Sequence, residues 1–150
     1  MLVREARADD LPALLALYDE LTLASPPRGR EAEAPGLRRL LDQILADPHR
    51  HLLVAELDGR LLGTADLLLV ENLTHSARPW AIVENVVVTS AARGSGVGSL
   101  LMERSIDIAR AGGCYKLQLL SRKERLDAHR FYEHLGFQPL AEGFRIYLDG

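Results

Sequence analysis

One stretch constrains the fold of this chain more than any other. Val83-Glu84-Asn85-Val86-Val87-Val88 leads through Thr89-Ser90-Ala91-Ala92 into Arg93-Gly94-Ser95-Gly96-Val97-Gly98-Ser99-Leu100-Leu101-Met102. A β-branched run, a turn, glycines at alternate positions and a helical apolar pattern read as strand, loop and helix in succession. Glycine removes the Cβ where a backbone must turn sharply or approach another group closely. The helix that follows begins with unpaired N–H groups and the positive end of its dipole, which together suit an anion. Arg93 adds a cation at the same mouth. The loop therefore predicts a phosphate-bearing ligand.

The chain has 150 residues, a length that fits one domain with a real core, and we expect a single domain over 1–150. Its net charge is −3 at pH 7, whereas a nucleic-acid surface needs an excess of clustered Lys and Arg. We therefore expect no nucleic-acid partner. No apolar run reaches the ~18 residues of a membrane helix; Leu67-Leu68-Leu69-Val70 is hemmed by Asp66 and Glu71. With no such run we expect no membrane partner, and the N-terminus, Met1-Leu2-Val3-Arg4-Glu5, lacks the apolar core of a secretory signal, so none is expected. Cys114 stands alone, which excludes an internal disulfide and fits a reducing cytoplasm.

Along the chain, Leu2–Arg7 reads as an edge strand. Asp9 or Asp10 caps a helix with Leu11, Leu14, Leu15, Leu17 and Leu21 at helical spacing, broken by Ser25-Pro26-Pro27-Arg28-Gly29. A second helix runs from Pro35 to Ala46. His51–Leu57 and Leu61–Val70 read as strands joined by a tight Asp58-Gly59 turn, and Glu71–Pro79 as a polar loop. Ala81–Thr89 is the expected central strand, and Gly98–Ala111 a helix stopped by Gly112-Gly113. A strand over Cys114–Leu120, a helix from Glu124 to Leu135 and a closing hairpin of Phe137–Leu140 with Gly143–Leu148 complete the order. The sum is a mixed α/β domain with helices on both faces of one sheet.

Three glycine-loop chemistries compete for this pattern. A dinucleotide fingerprint needs Gly-x-Gly-x-x-Gly near the first strand, and a P-loop needs Lys after its last glycine. Neither matches. Arg93-Gly94-Ser95-Gly96-Val97-Gly98 instead resembles the Arg/Gln-x-x-Gly-x-Gly/Ala loop that holds the pyrophosphate of coenzyme A in the GNAT N-acetyltransferases. Ala128-His129-Arg130-Phe131-Tyr132-Glu133-His134-Leu135-Gly136-Phe137 is similar to the same family's Ala-x-x-Phe-Tyr-x-x-x-Gly-Phe signature. The resemblance is tight over about residues 80–140; earlier residues agree only in element order. Glu84-Asn85-Val86-Val87-Val88 and Gly113-Cys114-Tyr115-Lys116 look most like the family's sugar-phosphate branch, the glucosamine-6-phosphate N-acetyltransferases.

That resemblance implies the GNAT fold, with a central, mostly antiparallel sheet, and acetyl-CoA as cosubstrate with no metal. It implies transfer of an acetyl group to a primary amine of a small molecule by direct attack in a ternary complex. A non-catalytic acyl-CoA sensing module and a protein or peptide N-acetyltransferase are the alternatives. The backbone of Val86, Val87 and Val88 would pair with the pantetheine arm, and Arg93, Gly94, Ser95, Gly96, Val97, Gly98 and Ser99 would hold the pyrophosphate. Tyr132 would be the general acid to the departing thiolate, since a phenol of pKa near 10 carries its proton at neutral pH. Phe131, its neighbour on the helix, is expected in the core. Glu84, expected on the same face as Val86 and Val88, would be the general base directly or through a water, with His75 as rival. Trp80 and Arg78 are candidates to line the acceptor cleft. Many members carry Asn where this chain has Arg125, which with Arg122 and Lys123 forms a basic cluster of open role. Cys114 has no Cys-His-acid grouping around it in sequence, so an acyl-cysteine is disfavoured. Homodimers are common in the family.

Overall fold

Short apolar strands bounded by turn residues arrange themselves in chain order. The computed structural model describes residues 1–22 and 35–148, and the expected break at Ser25–Gly29 lies outside them. Contacts divide the chain into two compact units, Met1–Gln118 and Leu119–Gly150.

In the first unit, five strands form one sheet in the order β1-β2-β3-β4-β5: β1 Leu2–Glu5, β2 Arg50–Leu57, β3 Arg60–Val70, β4 Trp80–Val88 and β5 Leu117–Gln118. The first three pairings are antiparallel and β4 with β5 is parallel. The β2–β3 hairpin closes through Asp58 and Gly59, both at positive φ, as its two-residue loop demands. Between β3 and β4, α3 (Thr74–Ala77) is a single turn, and His75, Ser76 and Ala77 all hold positive φ.

Helices cover both faces. Leu14 of α1 (Leu11–Thr22) and Leu41 of α2 (Leu37–Ala46) bury with Leu52 and Val54 of β2. On the opposite face α4 (Val97–Ala111) presses so close that a Cβ on Gly63 would meet Val97 and Leu101. Leu101 and Met102 are fully buried there. Such burial supplies about 1.5–3 kcal/mol per large apolar side chain. At the sheet's first edge Arg4 pairs with Asp10 at 2.8 Å and Glu56 at 2.6 Å. Asp10 also accepts the Arg7 N–H at 2.7 Å, so it anchors the entry to α1.

The expected strand over Cys114–Leu120 shrinks to two residues. The Cys114 N–H is taken by the Ala109 carbonyl and the Gly113 N–H by that of Arg110, a Schellman closure of α4 with Gly113 left-handed. Tyr115 then donates to Pro79, and Leu117 and Gln118 alone pair with Ala81 and Ile82.

In the second unit α5 spans Leu126–His134. It closes by the same device, with Phe137 N–H to Tyr132 O at 3.0 Å, Gly136 N–H to Glu133 O at 3.0 Å, and Gly136 at φ 93. The expected hairpin of Phe137–Leu140 with Gly143–Leu148 is not formed; residues 137–148 carry no strand. Phe144, Ile146 and Leu148 alternate as a strand's face would, yet all three are exposed. Alternation records what a segment could bury, and a strand forms only where backbone partners are supplied.

Candidate functional site

β4 carries the site's geometry through an irregularity. Asp66 pairs with Glu84 and Thr64 with Val87, so Asn85 and Val86 together face only Ala65. This is a β-bulge, with Asn85 at φ 52, a conformation that Asn tolerates better than most residues. The bulge reverses the alternation beyond it. Glu84 shares the face of Asp66, Thr64 and Val87, while Val88, opposite Gly63, points to the α4 side. The expected alignment of Glu84 with Val88 is therefore wrong, because the extra residue flips the faces, and Val86 lies within the bulge itself. Glu84 is exposed. Its buried cross-strand neighbour Asp66 is neutralised by Arg50, whose Nε and Nη2 donate at 2.9 and 2.5 Å. That fork is charge-assisted at both contacts.

On its other side β4 meets β5 only at Ala81 and Ile82. From Val83 to Val88 no strand among the described residues pairs with that edge. An unpaired edge offers backbone donors and acceptors to any extended chain laid beside it.

At the end of β4 the backbone turns through a 3-10 segment, Ser90–Ala92, into the glycine loop. Gly94 at φ 79 and Gly96 at φ 87 would be strained as any other residue, and a Cβ at either would meet nothing within 4 Å. The glycines thus serve backbone conformation and leave the space before the loop clear. Gly96 is the N-cap of α4 without a side-chain cap, and its carbonyl accepts the first helical bond, from Leu100 at 3.1 Å. The N–H groups of Val97, Gly98 and Ser99 precede that bond and face the helix's entrance. Arg93 is fixed beside them by an Nε bond to the Val88 carbonyl at 3.3 Å, and Ser95 Oγ bonds to the Ala92 carbonyl. Positive dipole and amide donors gather at the start of α4, a short loop on from Arg93, which fits an anionic diphosphate.

One contributor escaped the reading of the sequence. Glu20 of α1 accepts Thr89 Oγ1 at 2.7 Å and the Ser90 N–H at 2.8 Å, and these bonds hold its carboxyl below its usual range. No local signal marks it, because its partners lie 69 and 70 positions away.

His75 is elsewhere. It stacks on Tyr115 at 3.9 Å between centroids, on the turn that enters β4, while the glycine loop leaves the strand's other end. Nine residues of strand put the two about 26 Å apart, and the rival candidate Glu84 lies between them on β4. Arg78 and Trp80 belong to the same far end. Arg78 donates to the Gly113 and Cys114 carbonyls at 3.4 Å, and Lys116 lies over Trp80 at 5.7 Å. These contacts brace the turn that enters β4. A cavity of about 520 Å³ lies there too, bounded by His49, Leu69, Glu71, Leu73, Pro79 and Gly112 among others.

In the second unit Tyr132 is half-buried, edge-on to Phe131 at 5.1 Å and to Phe137 at 5.9 Å. Burial pushes its phenol above the usual 10, partly offset by Arg125. Phe131 is likewise half-buried and not the core residue expected of it. Arg125 caps α5, and His129 Nε2 lies 2.8 Å from the Arg122 carbonyl, so part of the basic cluster shapes the helix start. Burial also raises the Cys114 thiol above its usual range.

The profile of the Acetyltransferase (GNAT) family matches residues 14–137. Glucosamine 6-phosphate N-acetyltransferase of Trypanosoma brucei brucei is 33% identical over 145 residues, 96% of this chain and 93% of that protein. Aminoalkylphosphonate N-acetyltransferase of Salmonella typhimurium is 29% identical over 136 residues, 91% of this chain and 84% of its own length. The crystal structure of glucosamine-6-phosphate N-acetyltransferase from Arabidopsis thaliana superposes with a TM-score of 0.86 at 21% identity, covering 99% and 98% of the two chains, and so shares the fold. With the mixed sheet, the glycine loop and the Phe-Tyr helix all in place, the chain belongs to the GNAT acetyltransferase family.

Proposed function

We propose that this chain moves the acetyl group of acetyl-CoA to the primary amine of a small molecule bearing a phosphate or phosphonate, by direct attack in a ternary complex. The observation that carries the donor half is the glycine loop, where Gly94, Gly96 and the uncapped start of α4 meet Arg93 at the end of a strand with an open edge. The acceptor half rests on two similar proteins, which by name act on an amino-sugar phosphate and on aminoalkylphosphonates. The family profile runs through both compact units, which supports reading 1–150 as one catalytic domain.

In this reading the backbone of Val86, Val87 and Val88 pairs with the pantetheine arm along the open edge. One N–H of that strand steadies the negative charge on the thioester oxygen as the amine attacks, an effect worth ~10²–10³ in rate elsewhere. Arg93, Gly94, Ser95, Gly96, Val97, Gly98 and Ser99 hold the pyrophosphate. Glu84 accepts a proton from the incoming ammonium through a water, since its carboxylate is exposed beside the bulge. The nitrogen then bonds to the acetyl carbon and the carbon–sulfur bond breaks. Tyr132 gives its proton to the departing thiolate and regains one, through solvent, as the nitrogen sheds its second proton to become the amide; a phenol kept neutral by burial suits that task. The protonated Cys114 is consistent with transfer without an acyl-enzyme.

The test is release of free thiol from acetyl-CoA across a panel of amines: aminosugar phosphates, aminoalkylphosphonates, their phosphate-free counterparts, polyamines, amino acids, aminoglycosides and peptides. The phosphate- or phosphonate-bearing amines should show at least about tenfold higher kcat/KM than their neutral counterparts, as for loss of a charge-assisted contact. Turnover confined to peptides would move the chain to the protein acetyltransferases. Acetyl-CoA binding with no turnover across the panel would make it a sensing module.

A further inference from the structure

We infer that Glu20 is a positioning residue that holds the pyrophosphate loop in its binding geometry. The inference rests on the reading of that loop as the pyrophosphate site and adds a residue to it.

Glu20 lies on α1, and its carboxylate reaches the end of β4. One carboxylate oxygen accepts Thr89 Oγ1 at 2.7 Å and the other accepts the Ser90 N–H at 2.8 Å. These donors stand at the hinge where β4 ends and the 3-10 turn Ser90–Ala92 begins. The Thr89 N–H is itself bonded to the Leu62 carbonyl at 2.8 Å, so the hinge is tied to the sheet on one side and to α1 on the other. From there the bonds run straight into the loop. Ala92 N–H reaches Thr89 O at 2.9 Å, and Ser95 N–H reaches Ala92 O at 3.3 Å. Arg93 lies close enough to favour the ionised Glu20, and is anchored on the Val88 carbonyl.

A loop that binds through backbone N–H groups must present them within about 0.5 Å of their places. Glycines at 94 and 96 permit the required turn but do not enforce it, because glycine is equally at ease elsewhere. Enforcement has to come from the segment before them. Among the bonds seen at that segment, the Glu20 carboxylate is the side chain that fastens it to a different element. A carboxylate suits the task because it has an acceptor for each donor. Glutamine would turn an N–H₂ toward one of them, and aspartate would fall a methylene short.

The experiment compares two ligands, acetyl-CoA by calorimetry and S-acetylpantetheine, which lacks the pyrophosphate, by ligand-observed NMR. Glu20→Ala should weaken acetyl-CoA about tenfold, the usual cost of leaving such donors unpaired, and leave S-acetylpantetheine unchanged. Thr89→Val should do the same on a smaller scale, and Thr89→Ser should restore wild-type affinity. Unchanged acetyl-CoA affinity in both Glu20→Ala and Thr89→Val would overturn the assignment. So would equal losses for the two ligands, which would mark general damage to α1. Gly96→Val, run alongside, separates the two readings. If it abolishes acetyl-CoA binding while Glu20→Ala does not, Glu20 alone is misassigned; if it too binds normally, the loop is not the pyrophosphate site.

Discussion

The two ends of β4 both turn through left-handed backbone, but they reach it differently. At the exit, positive φ falls on Gly94 and Gly96, which bear it without strain. At the entrance it falls on His75, Ser76 and Ala77, each of which costs about 1–2 kcal/mol in that region. The entrance therefore needs bracing, and has it. His75 stacks on Tyr115, Asn72 Nδ2 donates to the Thr74 and Arg78 carbonyls at 3.1 and 3.2 Å, and Arg78 ties back to Gly113 and Cys114. Side-chain contacts tie the entrance together, whereas the exit holds its turn with glycines and leaves amides uncovered. The contrast teaches that glycine at a loop marks a place where something else must come close, and other residues at positive φ mark a place held by its own contacts.

The contrast can be broken or sharpened in sequence of effect size. Chemistry should belong to Tyr132 and not to the entrance turn. Tyr132→Phe should lower kcat by about 10²-fold with acetyl-CoA affinity unchanged, as for loss of a general acid, while His75→Ala should keep kcat. A collapse of kcat in His75→Ala would return histidine to the reaction. The pH profile adds a sign. Burial raises the folded phenol above 10, so the acid form persists and any alkaline fall of kcat due to Tyr132 should lie above pH 10. The same raised value makes folding stability from this group full below 10 and lost as the pH climbs through the folded value. His75→Ala should instead cost stability, about 1 kcal/mol from the lost ring stack, read as a lower urea midpoint. Smallest is Ala77→Gly, which relieves strain at φ 59 and should stabilise by up to about 1 kcal/mol after glycine's entropy is counted. A destabilised Ala77→Gly would show that the turn is not strained.

Much of the site was legible because its signals are local. Glycines at 94 and 96, Asp58-Gly59, and the Gly113 and Gly136 helix stops each mark a backbone conformation that few other residues allow, and each appears where expected. Three features were not legible from spacing. The bulge at Asn85 inverts the face of Glu84, and its one cue is the Asn itself, a residue that tolerates positive φ. Glu20 joins Thr89 and Ser90 through folding alone. Phe144, Ile146 and Leu148 spell a strand that the structure does not form, because periodicity reports a side-chain face and says nothing of backbone partners.

Calorimetric titration of acetyl-CoA into the wild-type protein and into Gly96→Val tests the central claim most directly. The account predicts saturable binding to the wild type and a loss of at least about 100-fold in the variant, since a branched residue at φ 87 must move the amides that cradle the pyrophosphate. Equal affinity in the two proteins would contradict it.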